Sequence, residues 1–153
     1  MSFKRNNTIL KSTLSQEGVL RLTLNNPNNH NVLSEEMMEN IQLSLDQATK
    51  DKKTRVIIIS AEGSTFSAGH DLKELKSARK NSDKGKDYFN NIMLKCSKMM
   101  QSIVKNPKPV IAEVSGIATA AGCQLVASCD LAYAGPLAKF ATPGVNIGLF
   151  CST

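Results

Sequence analysis

Apolar residues fall into distinct rhythms along this chain, and each rhythm predicts an element. From Thr8 to Asn25, apolar sites at Ile9, Leu10, Leu14, Val19, Leu20, Leu22 and Leu24 flank a Glu17-Gly18 turn. That arrangement predicts a β-hairpin of Thr8–Ser15 and Val19–Asn25. Met37, Met38, Ile41, Leu45 and Ala48 then recur at helical spacing. Ser34 stands ready to cap that helix, with Glu35 and Glu36 at its positive end and the run extending to about Thr49. A second helical stripe (Phe89, Ile92, Met93, Cys96, Met99, Met100, Ile103) predicts a long helix from Tyr88 to Val104, ended by Asn106-Pro-Lys-Pro109. Val56–Ser60 and Val110–Val114 are short unbroken apolar runs, the pattern of strands buried on both faces. Leu131–Ala134 and Lys139–Ala141 read as two further short strands, and the polar, Gly-containing stretch Ser77–Lys86 as a candidate mobile loop.

Two of these strands lead into runs of small residues. After Val56–Ser60 comes Phe66-Ser-Ala-Gly-His-Asp-Leu72, where Ser67-Ala-Gly69 makes a bend and Asp71 starts a short helix. After Val110–Val114 comes a turn at Ser115-Gly116, then Ala118, Ala120, Ala121 and Gly122, which open a helix continuing Gln124-Leu-Val-Ala127. Small side chains let a ligand approach the backbone, and the first amides of a helix have no partner within it. Two such strand-to-helix turns are the minimum for a pair of backbone donors that could hold a developing oxyanion.

These motifs, in this order, resemble the crotonase (enoyl-CoA hydratase/isomerase) superfamily. Phe66-Ser-Ala-Gly-His-Asp-Leu72 is similar to its first oxyanion segment, and Ser115-Gly-Ile-Ala-Thr-Ala-Ala-Gly-Cys-Gln-Leu125 to its second. Asn25-Asn-Pro-Asn-Asn-His-Asn-Val-Leu33 is similar to an early loop, and Asp130–Ala134 with Phe140–Gly144 continues the match. The resemblance implies an α/β fold, a crotonase-type spiral of ββα units. It also implies that residues 1–153 are the N-terminal portion of an acyl-CoA-binding domain, with the C-terminal part missing. Apolar faces that later chain would cover are then expected to lie exposed. Trimers, or pairs of trimers, are the implied assembly.

Residue-by-residue transfer places the two oxyanion donors on the backbone N–H groups of His70 and Ala121. It places Ala68, Gly69, Asp71 and Leu72 against the CoA thioester. The two glutamates that serve hydration in the family correspond to Gln124 and Gly144. General acid–base help of that kind typically contributes ~10²–10⁴-fold. A glutamine amide does not titrate near neutral pH, and glycine has no side chain to offer. Hydratase activity is therefore expected to be weak or absent. Asp71 reads as a helix cap and Glu113 as a structural or solvated carboxylate. Thr142 and Asn146 can bind water but are not bases. Three functions fit this pattern. The first is an acyl-CoA binder without competent hydratase residues, the second an active hydratase or isomerase using other residues, and the third a structural subunit pairing with active crotonases.

Composition narrows the partners. The net charge is +6, and Lys73, Lys76, Arg79, Lys80, Lys84 and Lys86 form one local basic cluster. With five Phe, two Tyr and no Trp, there is no basic-aromatic platform, so nucleic acid is not expected as a partner. The cluster reads as a solvated face, or as a neighbour of the CoA phosphates. His30 and His70 are the only histidines, and neither sits in a metal-ligand spacing. No metal and no cofactor is expected; CoA enters only as part of the ligand. His30 is expected to be exposed. Cys96, Cys123, Cys129 and Cys151 have no disulfide-framework spacing and are expected as buried, reduced thiols. No apolar run is long enough to span a bilayer. The start, Met1-Ser-Phe-Lys-Arg-Asn-Asn7, has neither a signal-peptide core nor an Arg- and Ser-rich presequence. A cytoplasmic location is the expectation from these residues, with a mitochondrial one admitted by the resemblance.

Overall fold

A computed structural model describes residues 9–148. Strands β1 (Leu10–Leu14) and β2 (Val19–Leu24) form the expected antiparallel hairpin, with Leu14 opposite Leu20. Gly18 turns it at φ +85°, a conformation in which a side chain would strike Lys53 O. Thr8, the expected first residue of the hairpin, lies outside the described residues. β2 then pairs in parallel with β3 (Val56–Ala61), β3 with β5 (Val110–Val114), and β5 with β7 (Leu131–Ala134). The result is a five-stranded sheet in the order β1-β2-β3-β5-β7.

A second sheet was not legible as such in the chain. β4 (Thr65–Ser67), β6 (Ile117–Thr119) and β8 (Lys139–Ala141) pair in parallel, in the order β4-β6-β8. Each is three residues long, too short for alternation to declare itself. From β3 onward, successive strands go to alternate sheets: β3 then β4, β5 then β6, β7 then β8. Helices follow two of these pairs, α2 (Leu72–Ala78) with α3 (Lys86–Val104) after β4, and α4 (Ala121–Ala127) after β6. This is a spiral of ββα units. The helix after Val110–Val114 opens at Ala121, because Ile117–Thr119 is spent on β6 rather than on a helix start.

α1 (Glu35–Lys50) begins where Ser34 accepts a hydrogen bond from the Met37 N–H, 3.2 Å away. Its whole expected stripe is buried, as are Ile92, Cys96, Met99, Met100 and Ile103 of α3. The two helices pack together. Beneath them lie Leu20, Leu22, Leu24, Ile57, Ile59, Val110 and Ala112 of the sheet, all fully enclosed. The loop expected over Ser77–Lys86 is shorter than its composition implied, since α2 runs to Ala78 and α3 opens at Lys86. Asp83 ties the remainder, accepting from the N–H groups of Gly85 (2.9 Å) and Asp87 (2.8 Å).

The far margin of both sheets is open. Every residue of β7 and β8 is exposed, including Leu131, Tyr133 and Phe140, and Leu137 between them is 75% exposed. Of the cysteines, Cys96 is buried, while Cys123 and Cys129 are half-buried rather than enclosed, and all three are free thiols. Burial, with Asp130 beside it, pushes the Cys129 thiol up to about 12, so it stays protonated. Cys151 lies outside the described residues. No described helix is long and apolar enough to cross a membrane.

Candidate functional site

The first bend is built from hydrogen bonds. Asn31, fully buried, donates from Nδ2 to Glu62 O (2.9 Å) and Thr65 O (2.7 Å), while its Oδ1 accepts from the Asn26 N–H (2.7 Å). It thus clamps the Asn-rich loop onto the strand that carries the bend. The Ala68 N–H donates to His30 O at 3.0 Å, and the Leu33 N–H to Gly69 O at 2.7 Å. Gly69 itself sits at φ +84°, and its N–H lies 3.3 Å from Ser67 Oγ. Asp71 is the N-cap of α2, its carboxylate accepting from the Lys73 and Glu74 N–H groups. Leu72, the first residue of α2, is 55% exposed.

The second bend is built from close contact. Ala120 holds φ +51° and ψ −126°, a conformation that glycine adopts freely and alanine does not. Its N–H donates to Ala141 O at 2.9 Å, which joins the bend to β8 and so to the turn of 3-10 helix at Pro143–Ile147. α4 has no side-chain cap.

The two bends meet. A Cβ on Gly69 would lie 3.0 Å from both Ala120 Cβ and Ala121 N, and one on Gly122 would lie 2.3 Å from Ser67 O. Only glycine at these two positions permits the approach. Peptide planarity then orients the amides. Gly69 O points to Leu33, so the His70 N–H, across the same trans peptide, points the opposite way. Ala120 O accepts from the N–H groups of Cys123 (3.0 Å) and Gln124 (3.1 Å), so the Ala121 N–H points out of the start of α4. His70 and Ala121 are therefore placed side by side by the meeting of Gly69 with Ala120 and Ala121.

Gln124 sits half-buried in the first turn of α4, and Gly144 is buried in the Pro143–Ile147 turn three residues after Ala141. Thr142 and Asn146 on either side are exposed. Glu113 is elsewhere: it points from the outer face of the sheet into a bidentate pair with Arg21 (2.9 and 3.1 Å). His30 is exposed. The His70 ring is half-buried, its Nδ1 enclosed without a hydrogen-bond partner, and burial lowers its pKa so that it is neutral at pH 7. All six cations of the basic cluster are exposed, with Lys73 Nζ bonded to Asn29 Oδ1 at 3.1 Å. No group of His, Cys, Asp and Glu among the described residues could hold a metal ion. A groove of about 500 Å³ between α1 and α3, lined by Asp46, Leu94, Lys98 and Pro107, touches neither bend.

A family model described as enoyl-CoA hydratase/isomerase matches residues 14–153. The chain belongs to the enoyl-CoA hydratase/isomerase family. Among its curated relatives, enoyl-CoA hydratase domain-containing protein 3, mitochondrial, of Xenopus laevis is 52% identical over 143 residues, covering 93% of this chain and 47% of the relative. The crystal structure of human enoyl coenzyme A hydratase domain-containing protein 3 matches with TM-score 0.85 and 47% identity, over 94% of this chain and 55% of the other. An enoyl-CoA hydratase structure from Mycobacterium smegmatis matches with TM-score 0.87 and 44% identity, over 94% and 54%. The chain thus spans about half the length of the relatives it matches. Family membership fixes the crotonase-type fold and makes acyl-CoA thioesters the class of molecule to consider at the bends. The mitochondrial designation carried by such relatives weighs toward that compartment more than toward the cytoplasmic one expected from the residues.

Proposed function

We propose that this chain carries the thioester-binding half of a crotonase-family site, with the His70 and Ala121 N–H groups as its oxyanion donors, and that it hydrates enoyl-CoA weakly or not at all. One observation carries the reading. The glycine-dependent meeting of the bends sets two amides beside each other, each turned away from the carbonyl bonds that hold its own segment. Two such donors hold a thioester oxygen more tightly as negative charge develops on it, which is the source of oxyanion catalysis. A purely structural subunit has no need of that arrangement.

The acid–base side is where the chemistry stops. Hydration needs a group that takes a proton from water and another that returns one. Gln124 can orient a water through its amide but cannot hold the proton. Gly144 can do neither. Ala68, Gly69, Asp71 and Leu72 would line the thioester through the backbone of the first bend, and CoA enters as part of the ligand rather than as a cofactor. Assembly into trimers or pairs of trimers is part of the same reading, with size-exclusion chromatography as its measure.

The test pairs binding with turnover. Adding a saturated acyl-CoA should raise the melting temperature, because a ligand selective for the folded state must stabilise it. Crotonyl-CoA hydration should be slow or undetectable, and Gln124→Glu alone should rescue it poorly while Gly144 remains. A melt unmoved by acyl-CoA would overturn the binding reading. Full hydratase rates in the unchanged protein would overturn the catalytic one.

A further inference from the structure

We propose that the imidazole of His70 is a specificity-determining contact of this site, selecting acyl-CoA thioesters that carry a hydroxyl or carbonyl oxygen close to the thioester. The proposal rests on the thioester reading above and adds a side-chain role to a residue that the reading uses only through its backbone.

Three observations carry it. First, the ring hangs from the residue whose N–H is assigned to the thioester oxygen. Whatever it touches on the ligand must therefore lie within a few bonds of that carbonyl. Second, the ring has unspent hydrogen-bonding capacity. Its Nδ1 is enclosed with no partner, which is uncommon for a buried polar atom and is expected where a ligand or water completes the site. Third, the neighbouring polar groups are committed elsewhere. Asp71 caps α2, and Glu74 accepts from the Glu35 N–H and the Tyr88 hydroxyl. Ser67 Oγ lies against the Gly69 N–H. Neither Gln124 nor Gly144 can supply a titratable group. Among the described residues of the two bends, His70 is the side chain left to read a polar substituent on the acyl group. A neutral imidazole suits this task, since it offers one donor and one acceptor and can meet either a hydroxyl or a carbonyl. An acyl chain without an oxygen there leaves the ring unpaired, and sites of that kind discriminate against the analogue that lacks the partner.

The test uses the 153-residue chain and two probes, butyryl-CoA and 3-hydroxybutyryl-CoA, with affinities from calorimetry. One hydrogen bond corresponds to about tenfold, so 3-hydroxybutyryl-CoA should bind about tenfold more tightly. His70→Leu retains the backbone N–H and should bring the ratio to about one while butyryl-CoA still binds; His70→Gln should restore part of the preference. Nitrogen NMR of ¹⁵N-histidine-labelled protein gives a readout that needs no folded variant at position 70, with His30→Gln assigning the other ring. The His70 nitrogens should move with the hydroxylated probe and not with butyryl-CoA. Equal binding of the two probes, unchanged by His70→Leu, with ring signals indifferent to the hydroxyl, would overturn the role of His70 and leave the thioester reading standing. Failure of both probes to bind would overturn both.

Discussion

The two bends that meet at Gly69 and Ala121 reach similar ends by different physics. The first is held by hydrogen bonds from distant residues. Asn31 spans to Glu62 and Thr65, and a glycine takes the one conformation that a side chain would resist. The second has no cap and no side-chain clamp. It is held by β8 through Ala120, by the close seating of Gly122 on Ser67, and at the expense of an alanine at positive φ. One bend spends polar groups, the other spends backbone strain. A site with strict demands on two amides does not need two copies of one device.

The largest effect should come from breaking the hydrogen-bonded side. Asn31→Leu leaves two carbonyls and an amide unpaired in the interior and puts a branched residue at φ +48°. A loss of about 4 kcal/mol follows, or roughly a 10 °C drop in Tm, measured by a thermal melt. A drop of a degree or two would mean that the first bend does not depend on its clamp. Next comes the contact between bends. In Gly122→Ala the new methyl meets Ser67 O, costing about 3 kcal/mol against about 1 kcal/mol gained in helix propensity. The net loss should be about 2 kcal/mol, accompanied by loss of the acyl-CoA-induced Tm shift, because the amides separate.

The strain is tested by a pair of opposite sign. Ala120→Gly should stabilise by about 1 kcal/mol, strain relief exceeding the added chain entropy. Gly69→Ala should destabilise, since its φ and its contacts with Ala120 and Ala121 both oppose a methyl. The same sign for both in denaturant titrations would erase the contrast between the bends. The smallest effect is on pH. Burial lowers the His70 pKa below its ordinary 6.5, so the unfolded chain binds the proton more readily than the folded one. The His70 contribution is fully present above pH 6.5 and is lost as pH falls from there through the folded-state value. His70→Leu should flatten that part of the Tm–pH curve, while slopes due to carboxylates persist in both proteins.

Elements whose burial follows a period were legible in the chain. The stripes of α1 and α3, the caps at Ser34 and Asp71, and the doubly buried β3 and β5 stand where the pattern put them. Glu113 illustrates the same logic, since Ala112 and Val114 face the core and the residue between them must face outward. The second sheet escaped because three residues cannot display a period. Asn31 escaped for another reason: its partners lie 31 and 34 residues away, and nothing in an Asn-rich turn says which asparagine will be swallowed. Five of the seven residues from Asn25 to Asn31 are asparagine, which was a signal without an address. The alanine at positive φ was invisible, because only the seating of Gly122 and the bond to Ala141 force Ala120 there. The small-residue runs marked where the backbone would be approached; their meeting depends on the spiral.

That spiral also orders the folding of the chain in time. From β3 onward each pair of strands lays one new parallel strand on each sheet, and the template for it is the pair synthesised just before. A chain emerging from the ribosome can therefore settle turn by turn, with no strand waiting for a partner not yet made. The same rule keeps the youngest strands at the growing edge, where unpaired backbone and exposed apolar side chains are open to pairing with another chain. At Leu131–Ala134 and Lys139–Ala141 that edge carries Tyr133 and Phe140 into solvent. Crowding of nascent chains, more than the strength of the buried core, then governs how much of the protein reaches its native state.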